Sequence, residues 1–134
     1  MLQYKQQQLI NFVLILLCVI LLFHFSILTQ IIPYKIVWGG KLTSQKQMIR
    51  FETVSIIVNL FIVLIVCLKG QHIRNSISEK VVNAFLWVFF IIFSLNTFGN
   101  MFAESFVEKI VFTPLALLLA ICFWLILKYK KNLI

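Results

Sequence analysis

Four apolar runs, at residues 9–28, 51–68, 81–98 and 110–127, fill most of the chain, and only short polar stretches separate them. A helix rises about 1.5 Å per residue, so a run of about 18 or more apolar residues reaches across the hydrocarbon core of a bilayer. Four such runs in 134 residues leave almost nothing from which to build a soluble domain. The lipid bilayer is therefore the expected solvent. The expected fold is all-α: an antiparallel bundle of four transmembrane helices, forming one integral membrane domain over residues 1–134. Its spans are placed at about 9–29, 48–69, 78–98 and 106–128.

Composition narrows the partners. The chain is 62% hydrophobic and 12% charged, whereas an ordinary globular domain is about one-quarter charged. The formal net charge of +8 sits at the ends of the apolar runs, where Lys and Arg anchor helices and meet anionic head groups. Membrane lipids, not nucleic acid, are the partner this distribution implies. Cys18, Cys67 and Cys122 each lie alone in an apolar run. Without a CxxC pair they suggest helix packing, and no metal, cofactor or disulfide framework is expected. The first run follows Lys5 but is longer than a signal-peptide core and lacks a small-residue cleavage pattern, so it reads as a retained span.

Local signals set the boundaries. Residues 1–8, with Gln6-Gln7-Gln8, form a polar head, and 29–50 is the longest connection. That connection holds Pro33, Tyr34, Trp38 and the Gly39-Gly40 turn signal; its aromatics favour the membrane–water boundary. Ser44 with Gln47, Ser76 with Glu79, and Ser105 with Glu108 have capping-box spacing, and should open helices two, three and four. Gly70 and Gly99 are candidate helix terminators. Pro114, about nine residues inside helix four, should kink it. Lys128-Tyr129-Lys130-Lys131 is an interfacial anchor, and no span holds a GxxxG dimerisation motif.

Four spans place both termini on one side. That side carries Lys5, Lys69, Arg74, Lys80, Lys128, Lys130 and Lys131; the other carries Lys35, Lys41, Lys46, Arg50 and Lys109. The Lys/Arg bias favours cytoplasmic termini.

The polar residues within the spans gather toward the opposite side. Glu52, Ser55 and Asn59 follow i, i+3, i+7 spacing and share one helical face; Asn96 and Asn100, at i, i+4, share another. If both faces turn inward they meet His24 in an outward-opening polar pocket, where His24 and Glu52 would form a hydrogen-bonded acid–base pair. The alternative is packing glue, in which these side chains only bond across to neighbouring helices. Trp38-Gly39-Gly40-Lys41 either folds a loop over that pocket or is an interfacial tryptophan followed by a turn. The many phenylalanines, such as Phe85, Phe89, Phe93 and Phe102, read as lipid-facing or packed bulk.

The stretches Pro33-Tyr34-Lys35-Ile36-Val37-Trp38-Gly39-Gly40-Lys41-Leu42, Met48-Ile49-Arg50-Phe51-Glu52 and Asn96-Thr97-Phe98-Gly99-Asn100 resemble a group of small uncharacterised bacterial four-span membrane proteins. The resemblance implies a bacterial cytoplasmic membrane and no particular activity.

Three functional readings follow. In the first, the protein binds a small or lipid-like molecule in an outer-leaflet pocket lined by His24, Trp38, Glu52, Ser55, Asn59, Asn96 and Asn100, as a carrier, sensor or resistance factor. In the second it is a non-catalytic accessory subunit of a larger membrane protein partner. In the third it is a membrane-embedded enzyme using His24 and Glu52 for proton transfer. The absence of any reaction motif leans against the third.

Overall fold

The computed structural model describes residues 1–74 and 76–129, so Asn75 and the Lys130-Lys131 part of the expected anchor lie outside the described residues. Four helices carry the fold: α1 (Leu2–Leu28), α2 (Gln45–Lys69), α3 (Glu79–Met101) and α4 (Thr113–Lys128), the last entered through a π-helical turn at Glu108–Phe112. Two 3₁₀ turns, Tyr34–Ile36 and Trp38–Gly40, shape the α1–α2 connection. Each helix is long and apolar enough to span a membrane, and no strand occurs among the described residues. The chain is an all-α, antiparallel four-helix membrane bundle. Its closest packing is α1 on α2 and α3 on α4; the α2–α3 and α1–α4 seams are thinner.

The interior divides lengthwise. The half nearest the termini is solid, with Ile10, Val13 and Leu17 meeting Ile65 and Val66, Val82 and Leu86, and Leu119, Phe123 and Ile126, all buried. Phe61, Phe85, Phe89, Phe93 and Phe123 form a chain of ring contacts through this half. Phe89 is buried while Phe102 is 82% exposed, so the phenylalanines divide between core and periphery. At the opposite end a small cluster of Ile27, Val37, Leu42 and Met48 holds the long connection down.

The helix ends differ instructively from the sequence expectations. At α2, Ser44 caps as expected, accepting from the Gln47 N–H, but the Gln47 side chain reciprocates to Thr43, accepting from its N–H and hydroxyl at 3.0 Å each. The Ser76–Glu79 box does not form. Ser78 caps α3 and Glu79 becomes the first helical residue, where a carboxylate suits the helix dipole and reaches Lys69 Nζ at 2.8 Å. Gly99 does not terminate α3, which continues helically to Met101. Gly70 does end α2, but in the right-handed region; Gln71 takes the left-handed position (φ 57°), and the His72 N–H to Cys67 and Gln71 N–H to Leu68 bonds complete a Schellman motif. What requires glycine at 70 is space, because a Cβ there would lie 2.9 Å from Ile10 Cγ2 and 2.8 Å from His72 Cδ2.

The Gln6-Gln7-Gln8 segment is the first turns of α1, not a separate head. Gln6 Nε2 donates to the carbonyls of Ile126 and Tyr129 at the C-terminal end of α4, where helical carbonyls run short of donors. Pro114 is accommodated rather than left to kink an ordinary helix. The wide turn at Glu108–Phe112 immediately precedes it, and the Thr113 hydroxyl donates to the Glu108 carbonyl at 3.3 Å.

Candidate functional site

Between the solid half and the long connection the four helices enclose a cavity of about 300 Å³. All four contribute. His24 comes from the last turns of α1, and Glu52, Ser55 and Asn59 come from one face of α2. Asn96 and Asn100 come from the end of α3, and Glu108 from the π turn before α4. Val37 and Trp38, from the long connection, close over it. Phe23, Phe93, Phe112, Leu115 and Leu119 line much of the remainder. The structure thus brings all seven residues singled out in the sequence to one cavity. Ser26 and Thr97, polar residues of the same region, do not join them, since their hydroxyls donate back to the carbonyls of Leu22 and Phe93.

Glu52 is the organising group. It is fully buried, and each of its oxygens has one donor: Oε2 lies 2.7 Å from His24 Nδ1, and Oε1 accepts from Trp38 Nε1 at 2.7 Å. These lengths belong to charge-assisted hydrogen bonds. The indole N–H can only donate, so Oε1 is an acceptor in every protonation state of the pair. With Nδ1 engaged, the imidazole keeps Nε2 free of protein partners among the described residues.

A second carboxylate pins the loop. Glu108, 8% exposed, accepts the Gly39 N–H on both oxygens, at 2.9 and 3.0 Å. That amide is presented by a left-handed turn in which Trp38 (φ 55°), Gly39 (φ 65°) and Gly40 (φ 70°) all have positive φ. Glycine visits this region freely; a bulky residue there costs about 1–2 kcal/mol. Trp38 holds it because its indole is fixed by Glu52 and by Phe51, whose ring centroid is 4.9 Å away. Ser105 adds a third stitch, its hydroxyl donating to the Ile36 carbonyl at 2.6 Å. Helix four therefore opens after Ser105 without the expected capping box, because both side chains of the box reach across to the loop instead.

Glu108 is the site residue that sequence reasoning missed. Its S-x-x-E spacing spoke for a local cap. The contrary signals were its closeness to Pro114, which distorts the turn it belongs to, and the Trp38-Gly39-Gly40 stretch, whose exposed amides suit an anion.

The remaining polar groups are unspent. Asn59 Oδ1 is buried and has no hydrogen-bond partner among the described residues. No side-chain hydrogen bond is made by Ser55, Asn96 or Asn100 to any described residue. A larger hollow of about 690 Å³ lies at the opposite end, between the first turns of α1 and the 70–78 connection. Lys69 pairs there with Glu79 and also donates to Asn83 Oδ1, and no buried unpaired side-chain atom marks it as a site among the described residues.

No protein-family model matches the chain, and neither the curated proteins nor the solved structures yield a match.

Proposed function

We propose that this membrane protein binds a small, largely apolar molecule in the cavity beneath the 33–41 connection, as a carrier, sensor or resistance factor. The observation that carries this reading is Asn59. A buried carbonyl oxygen left without a donor costs about 1–3 kcal/mol, and the residue that carries this one is part of the cavity wall. About 300 Å³ matches the lower range of ligand pockets, which are mostly apolar with a few fixed polar groups.

Two considerations set the other readings aside. Interhelical glue accounts for the His24–Glu52 contact between α1 and α2, yet Ser55, Asn59, Asn96 and Asn100 contribute no such bond among the described residues. A proton-transfer enzyme would act through the free Nε2 of the Glu52-held His24, but no reaction motif in the sequence supports that reading. The Lys/Arg bias supports cytoplasmic termini, which puts the cavity in the outer leaflet.

Native mass spectrometry of the protein released from mild detergent tests the reading. The wild-type protein should carry a co-purified small molecule. Ala116→Phe, which places a ring in the cavity wall, should lose it while keeping its helical circular-dichroism signal. Wild-type protein without an occupant, or equal occupancy in the variant, would overturn the proposal.

A further inference from the structure

The chemistry of the lining points to the class of occupant and to its route. We infer, building on the pocket reading above, that the ligand is a lipophilic amine that reaches the cavity sideways from the bilayer, between α2 and α3.

The charge inventory is one-sided. Glu52, Glu108 and His24 line the cavity, and no Lys or Arg does among the described residues. Glu52 has His24 beside it. Glu108 has only the neutral Gly39 N–H as donor among the described residues. A buried carboxylate held by one backbone amide is short of positive charge, and burying it unpaired is unfavourable in a bilayer. Asn59 Oδ1 adds a second acceptor without a donor, on a side chain only 6% exposed. An ammonium group supplies up to three donors, no acceptor and one positive charge, which answers both deficits. An alcohol would serve Asn59 but leave Glu108 uncompensated, and a carboxylate would add a further negative charge. Phe23 and Phe112, with ring centroids 4.9 Å apart in the wall, offer aromatic faces of the kind cations favour.

The route follows from exposure. Val58 on α2 and Ile92 on α3 line the cavity, yet are 47% and 40% exposed, so the interior reaches the outer surface of the bundle along this seam. The α1–α4 seam is thinner still, but none of the cavity-lining residues on α1 or α4 is as exposed as Val58 or Ile92. The loop end, in contrast, is covered by Val37 and Trp38. Asn59 is the fifteenth of 25 residues in α2, so the opening lies at the depth of the acyl chains.

Octylamine, octanol and octanoate share one apolar body and differ in the head. Their equilibrium binding to the full chain in zwitterionic nanodiscs, corrected against empty discs, reads the head-group preference directly. Octylamine should bind about tenfold more tightly than octanol, the size expected of one charge-assisted contact. In Glu108→Gln, which keeps an oxygen for the Gly39 N–H and so preserves the loop, the ratio should fall toward one. Ile92→Trp should slow octylamine association severalfold. Octanol binding as well as octylamine, or a preference that survives Glu108→Gln, overturns the amine assignment. An unchanged association rate in Ile92→Trp overturns the lateral route. Failure of all three probes also overturns the inference, and the pocket reading is then decided separately by the co-purified occupant.

Discussion

Glu52 and Asn59 stand about 10 Å apart on one face of α2, and their opposite states define the site. Glu52 is saturated and Asn59 is bare. Two predictions follow from that contrast. Asn59→Leu removes an acceptor that has no partner, so it should stabilise the unliganded protein by about 1–3 kcal/mol while abolishing occupancy. Unfolding in mixed micelles, set beside native mass spectrometry, measures both effects, and a destabilised variant would refute the idea that the oxygen is unsatisfied. Glu52→Leu should act in the other sense, because it strands the Trp38 N–H and breaks the pair with His24. A double-mutant cycle with His24→Ala should give a coupling of about 0.5–3 kcal/mol, and a coupling near zero would mean that the 2.7 Å contact contributes nothing to the fold.

The elements show which parts of the design the sequence exposes. Helical periodicity alone placed Glu52, Ser55 and Asn59 on one face and Asn96 with Asn100 on another, because an i, i+3, i+4, i+7 pattern is independent of what the helix packs against. The spans were legible from the length of their apolar runs. Local motifs were less reliable. Ser44 capped its helix, whereas Ser76 lost to Ser78, and Ser105 and Glu108 were drawn away by the loop. A cap is worth about 1 kcal/mol, so a tertiary contact of similar strength can redirect the same side chains. Gly70 does end α2, as its position after Lys69 suggests, but what requires glycine there is the close approach of α1 and the His72 ring. Gly70→Ala is therefore predicted to destabilise by about 1–3 kcal/mol, since Ile10 is packed in the core and His72 is held by Gln7 and Asn11. Chemical denaturation in detergent checks the value; an effect of only a few tenths would show that the two helices adjust freely.

At the scale of the molecule, the apolar exterior fits lipid. Leu22, Val54, Leu95 and Phe98 project from three different helices and are more than half exposed. Orientation in the membrane is open to direct measurement. With Cys18, Cys67 and Cys122 replaced, a cysteine introduced at Lys41, in the long connection, should react with an impermeant maleimide in intact cells. Modification only after lysis would reverse the proposed topology and move the cavity to the inner leaflet.

The lengthwise division of the interior has a mechanical consequence. With side chains interlocked through one half and a void beneath the stitched connection, the four rods should breathe most freely where they border the void. Amide exchange ought then to be graded along every rod, brisk near Ser55 and Asn96 and slow near Ile65 and Leu86. Under the proposed reading, a guest would pass through the leaflet that holds the void while the packed half seals the other.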